Sequence, residues 1–130
     1  MGEDVIILGH LVITPLLRAR TALDDVLKQP TDLYTRDAAI QRFEFCFELS
    51  WKTMKRILDY RGIRVNSPRE VFREAAREGL VDDPKLWFEF LDSRNETVHT
   101  YNEATAEAIF RVLPNFLNAM TQFIAAIRNL

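Results

Sequence analysis

The sequence predicts an all-α protein, an antiparallel up-and-down four-helix bundle with one extra short helix. Three observations carry this. Apolar residues recur in steps of three and four along most of the chain. Two helix-start signatures, Ser67-Pro68-Arg69-Glu70 and Asp83-Pro84, punctuate its middle. Four Gly and five Pro in 130 residues are too few turn formers for an all-β chain. The length suits one domain over residues 1–130, and 48% apolar residues can furnish its core.

The first helical series is Val5, Leu8, Val12, Leu16, Ala19, Leu23 and Val26. Pro15 interrupts it. Either the helix starts near residue 4 and kinks there, or it starts near residue 15 behind a Thr14 cap. Pro30 and its polar neighbours end it. The second series is the strongest: Ile40, Phe43, Phe47, Trp51, Met54 and Leu58, widened by Ala39, Cys46 and Ile57. Phe45 and Leu49 point the other way and ask for a second neighbour or a second subunit. Gly62 suits the position just past this helix.

The capping box at Ser67 opens a short helix that Gly79 closes. Behind Asp83-Pro84, the positions Trp87, Leu91, Val98 and Tyr101 read as the next stripe, interrupted by Arg94 or, one register over, Asn95. Asn102 caps the last helix. Its series is Ala106, Ile109, Leu113, Phe116, Met120, Phe123, Ile127 and Leu130, with Pro114 expected to bend it. No stretch reads as a strand.

Lys and Arg number 17 against 19 Asp and Glu, so contact with nucleic acid would need a local basic patch. One cysteine, Cys46, excludes an internal disulfide and a cysteine-built zinc site, and reads as a buried thiol. His10 and His99 are the only imidazoles, too few for a multi-histidine metal site, and neither metal nor cofactor is expected. The start carries no basic leader, and the apolar run Val5 to Leu17 falls short of the roughly 20 residues of a membrane helix. A cytoplasmic protein without membrane contact is expected.

Chemistry concentrates in Arg94-Asn95-Glu96-Thr97-Val98-His99-Thr100-Tyr101. A guanidinium, an amide, an imidazole and a phenol fall within eight residues at a helix junction. Arg94 offers a bidentate fork for phosphate, and the helix after Asn102 offers free N–H groups. This describes a phosphate-handling site; the same residues also suit a polar network tying two helices together. On an ideal helix Arg94 and His99 diverge by about 140°. A site using both needs a bent helix end or two chains across a dimer axis.

These residues follow Arg36-Asp37-Ala38-Ala39-Ile40-Gln41-Arg42-Phe43-Glu44, Glu48-Leu49, Trp51-Lys52 and the Ser67 box. In that order they resemble the nucleotidyltransferase substrate-binding family, a branch of the HEPN superfamily. The resemblance runs from about Arg36 to the C-terminus. Its signature is Arg, four residues, His, one residue, Tyr, which Arg94, His99 and Tyr101 match. The resemblance implies a dimeric helical bundle encoded beside a minimal nucleotidyltransferase. It further implies a toxin–antitoxin pair in which this chain is a metal-independent ribonuclease acting on RNA. His99 would then be the acid/base and Arg94 the stabiliser of phosphate charge, with Asn95 orienting. Tyr101 would be the site where the partner attaches AMP. The same family also contains the alternative of a non-catalytic substrate-binding subunit.

Two charge patterns have plainer readings. Arg69, Arg73 and Arg77 form a one-turn row beside Glu70, Glu74 and Glu78, which suits a solvated face better than an RNA contact. Glu44, Glu48 and Lys52 read as a surface or interface ladder, and His10 as structural or exposed.

Overall fold

The computed structural model describes residues 3–130. Five helices dominate it: α1 (Thr14–Leu27), α2 (Leu33–Tyr60), α3 (Pro68–Arg77), α4 (Pro84–Glu96) and α5 (Glu103–Ile127). A single 3-10 turn, Thr97–His99, follows α4. The expected helical bundle is present.

The N-terminal segment departs from expectation. It forms a small hairpin of β1 (Ile6–Ile7) and β2 (Leu11–Val12), with Ile6 opposite Val12 and Ile7 opposite Leu11. Leu8 and Gly9 both take positive φ, 55° and 76°, the left-handed pair of a type I′ turn, and the His10 N–H closes it onto the Ile7 carbonyl. The apolar residues here fit both periods. Val5, Leu8 and Val12 have helical spacing, but Ile7 and Leu11 are the ones buried while Ile6 and Val12 face out. Pro15 then lies in the first turn of α1, where its missing N–H costs nothing. Thr14 is inside the helix and is not its cap; its Oγ1 accepts the Val5 N–H at 2.8 Å instead. A bond from the Leu8 N–H to the Leu130 carbonyl fastens the hairpin to the chain's end.

Side-chain contacts fix the helix directions. Arg42 on α2 reaches the Ala22 carbonyl and Cys46 reaches that of Ala19, so α1 and α2 are antiparallel. Trp87 stacks with Phe123 and Phe90 with Phe116, so α4 and α5 are antiparallel. Arg36 meets Glu107 while Phe43 meets Phe116, so α2 and α5 run the same way. This is the up-and-down order, with α3 as the extra helix packed on α2 and α4 through Phe72.

The core is aromatic at its centre. Phe116 lies 4.9 Å from Phe43, 5.1 Å from Phe90 and 5.8 Å from Trp87, ring centre to ring centre, all edge-on. Edge-to-face contacts of this kind add to the burial free energy of the rings. The series expected for α5 is buried from Ala106 to Ile127, and the helix continues through Pro114. Gly62 and Gly79 take φ near 80° and end α2 and α3 with paired back-bonds, as the sequence requires. Ser67 caps α3 through the Glu70 N–H, but the Glu70 carboxylate returns to Asn66 rather than to Ser67. Asp32 and Thr35 cap α2 reciprocally, a start the sequence reading did not single out. The Thr35 N–H bond holds the Asp32 carboxyl below its ordinary range.

Candidate functional site

The chemistry-bearing segment sits where α4 tightens and stops. Thr97 is buried, and both its N–H and its hydroxyl bond the Arg94 carbonyl, the latter at 2.7 Å. That double bond draws the chain into the 3-10 turn. Burial on α4 itself comes from Trp87 and Phe90. The expected continuation of the stripe through Val98 and Tyr101 is corrected: they are 72% and 84% exposed. A turn of 3.0 residues in place of 3.6 rotates them outward and gives the inward position to Thr97. Tyr101 is therefore not a packing residue of the bundle.

Arg94 and His99 each have one clear partner. Arg94 Nη2 lies 2.8 Å from Glu48 Oε1 on α2, its side chain 40% exposed. The Arg94 Nε is buried without a hydrogen-bond partner. Glu48 also accepts from Trp51 Nε1 at 3.2 Å and pairs with Lys52 at 3.6 Å. The expected ladder at Glu48 and Lys52 is present, and its additional job is to hold Arg94. His99 Nδ1 lies 3.1 Å from the Tyr101 hydroxyl, with the rings edge-on at 82°. Either tautomer can make this bond, because a phenol both donates and accepts. Among the described residues no hydrogen bond engages His99 Nε2 or the exposed Asn95 side chain.

The bent helix end does not bring Arg94 and His99 together. The three residues of the 3-10 turn each advance about 120° where an α-helix advances about 100°, which takes the pair from about 140° to about 160° apart, still on opposite sides. Among the described residues no ion pair or hydrogen bond joins them.

The segment is anchored on its far side by a residue to which sequence reasoning gave no role. Arg36, at the start of α2, is buried and bonds Glu103 and Glu107 in the first turns of α5 and also pairs with Asp37. The Glu103 hydrogen bond holds the Arg36 guanidinium above its ordinary pKa, and the same bond holds the Glu103 carboxyl below its own. Asn102 accepts from the Thr105 N–H and caps α5 as expected. The chain from His99 to Glu103 thus hangs between a tight turn and an ion cluster in which a buried Arg36 meets exposed carboxylates.

This cluster predicts an acid response. Glu103 is stabilising in full above the ordinary carboxylate value of 4.5, and the contribution is lost as pH falls through its lowered folded value. The thermal unfolding midpoint should hold from pH 7 to 5 and then fall. In Glu103→Gln, circular dichroism melts should show a lower midpoint at pH 7 and a shallower fall below pH 4.5.

Other candidates resolve plainly. Cys46 is buried, its thiol donates to the Ala19 carbonyl, and burial pushes its pKa up to about 12, an inert thiol. Arg69 pairs with Asp92 and Arg77 with Glu74, while Arg69 and Arg73 lie over the Phe88 ring. His10 is exposed and stacks near Tyr60. Among the described residues no group of three His, Cys, Asp or Glu is gathered as metal ligands, and no helix is long and apolar enough to cross a membrane.

Known proteins share this architecture. A Haemophilus influenzae protein described as probable ribonuclease HepT is 40% identical over 84 residues, 61% of this chain and 58% of that relative's length. A crystal structure from Thermus thermophilus superposes with a TM-score of 0.79 at 38% identity, covering 85% of this chain and 96% of the other. A Haemophilus influenzae structure, described as revealing the fold of a substrate binding domain of a nucleotidyltransferase, superposes at 0.80 with 30% identity, over 88% and 97% of the two chains. Residues 12–129 match the family model described as nucleotidyltransferase substrate binding protein like. With nearly its whole length accounted for by that model, the chain belongs to the nucleotidyltransferase substrate binding protein-like family.

Proposed function

We propose that this chain is a HEPN-type ribonuclease toxin, one domain over residues 1–130, paired with a minimal nucleotidyltransferase antitoxin. The observation that carries the reading is the exposed His99–Tyr101 pair at the end of a 3-10 turn, with Arg94 held by Glu48 one turn before that turn. The relative named probable ribonuclease HepT supports it. His99 would take the proton from a ribose 2′-hydroxyl as it attacks the adjacent phosphate. Arg94 would stabilise the charge developing on that phosphate. Asn95, one residue on and exposed, would orient the substrate.

Arg94 and His99 diverge within one chain, so the site is completed by two chains. Apolar surface suited to such a homodimer flanks it: Val98 lies beside His99, and Phe45, 57% exposed, lies one turn before Glu48. Analytical ultracentrifugation tests this. A dimer that Phe45→Glu converts to a monomer, with loss of cleavage, supports the composite site; a wild-type monomer that cleaves RNA overturns it.

Cleavage should persist in excess EDTA, because the groups assembled here are a guanidinium, an amide, an imidazole and a phenol. Gel assays with purified protein measure it. Cleavage lost on chelation and restored by a divalent ion would contradict the mechanism. A second reading, a non-catalytic subunit that presents substrate to the nucleotidyltransferase, draws on the neighbour described as a substrate binding domain. Expression alone and with the partner, scoring growth and RNA integrity, separates the two.

A further inference from the structure

We propose that a basic groove along α2 carries the single-stranded RNA leading away from the site, an inference that rests on the ribonuclease reading. The groove, about 480 Å³, lies between the C-terminal half of α2 and the segment from β2 into α1. Lys52, Lys55 and Arg56 face it against the single carboxylate of Asp59, a local excess of positive charge on a chain of net charge −2. Its accessible apolar lining is Val12, Pro15 and part of Leu49, over a floor of the buried Leu11, Ile13 and Leu16. A positively charged groove that tracks the phosphate backbone is what holds a single strand without regard to sequence.

One carboxylate links the groove to the site. Glu48 binds Arg94 through one carboxylate oxygen and Lys52 through the other. The motif's guanidinium and the first cation of the groove therefore flank one carboxylate. At the far end a second cleft shares Lys55 and Asp59 and adds Arg64. From Glu48 to Arg56 the helix rises about 12 Å at 1.5 Å per residue. At about 3.4 Å per stacked nucleotide, that is a run of three to four nucleotides.

The cations are free to take phosphates. Arg56 is exposed and has no ion-pair partner among the described residues. Lys52 and Lys55 pair only within the helix, with Glu48 and Asp59. Solvated one-turn pairs of this kind contribute little and yield readily to a competing anion.

The test is fluorescence anisotropy of a labelled 12-nucleotide RNA, 2′-O-methylated throughout so that it cannot be cleaved. Wild type is compared with Lys55→Gln/Arg56→Gln across a salt series, with circular dichroism melts to show that both are folded. Losing two phosphate contacts should weaken binding about tenfold and flatten the log Kd against log salt slope by about 1.4. If wild type binds and the variant binds equally with the same slope, the groove assignment is overturned and the ribonuclease reading stands. If wild type binds no RNA at all, both fall. If RNA binding is retained by the variant while capture of the partner nucleotidyltransferase is lost, the groove is a protein interface and the proposal is overturned.

Discussion

His99→Ala should cut the rate of RNA cleavage by a factor of about 10² to 10⁴, the usual worth of a positioned general acid/base. Toxicity on expression should vanish with it. Stability should barely move, within about 0.5 kcal/mol, because His99 is exposed and its one side-chain bond is to Tyr101, which is exposed too. Initial rates measured beside thermal melts read both quantities. A variant that keeps its cleavage rate removes His99 from the chemistry. One that loses its fold makes the imidazole a structural tie.

Under the proposed toxin–antitoxin pairing, Tyr101→Phe should leave this chain immune to the nucleotidyltransferase. The Tyr101 hydroxyl lies 3.1 Å from His99 Nδ1 and stands in solvent, where another enzyme can reach it. An adenylyl group there places a negative phosphate beside the His99 imidazole and replaces the phenol proton. At about 6 Å from the substrate phosphate and an effective dielectric near 20, the repulsion is roughly 3 kcal/mol per unit charge, about a hundredfold in binding. The adenosine adds bulk. Intact mass spectrometry after incubation with the partner, ATP and magnesium should show the adenylate on wild type and none on Tyr101→Phe. Addition to both proteins, or to neither, contradicts the assignment.

The bundle was legible because its core uses strict helical spacing. Ile40 to Leu58 and Ala106 to Ile127 need no tertiary information to be placed on a face, and Gly62, Gly79, Asn102 and Ser67 mark their ends locally. The hairpin was not legible, since Val5, Leu8 and Val12 satisfy a helical period by coincidence. A left-handed leucine at position 8 is not a turn signal a sequence advertises. The stripe through Val98 and Tyr101 failed for a related reason. Periodicity extrapolates an α-helix, and the two bonds from Thr97 to the Arg94 carbonyl change the period after Glu96.

At the candidate site, the motif residues were singled out by type, spacing and family resemblance, but their supports were not. Glu48 holds Arg94 from 46 positions away in the chain, and Arg36 meets Glu103 from 67 away. Ion pairs of that separation leave no periodic trace. The legible hints were weaker ones: Glu48 and Lys52 one turn apart, and Arg36 at the head of the family-like block.

The most direct test of the ribonuclease assignment is the chemistry of the ends it leaves. A labelled RNA is incubated with the purified protein in EDTA, beside His99→Ala and beside a substrate carrying a 2′-deoxy nucleotide at the cleaved position. Attack of the 2′-oxygen forms a new bond to phosphorus, breaks the bond to the 5′-oxygen, and returns a proton to that leaving oxygen. The products should therefore carry a 2′,3′-cyclic phosphate and a 5′-hydroxyl; the 2′-deoxy substrate should give none, and the His99→Ala protein should give them about 10² to 10⁴ times more slowly. Fragments ending in a 3′-hydroxyl and a 5′-phosphate, or cleavage of the 2′-deoxy substrate, would contradict it.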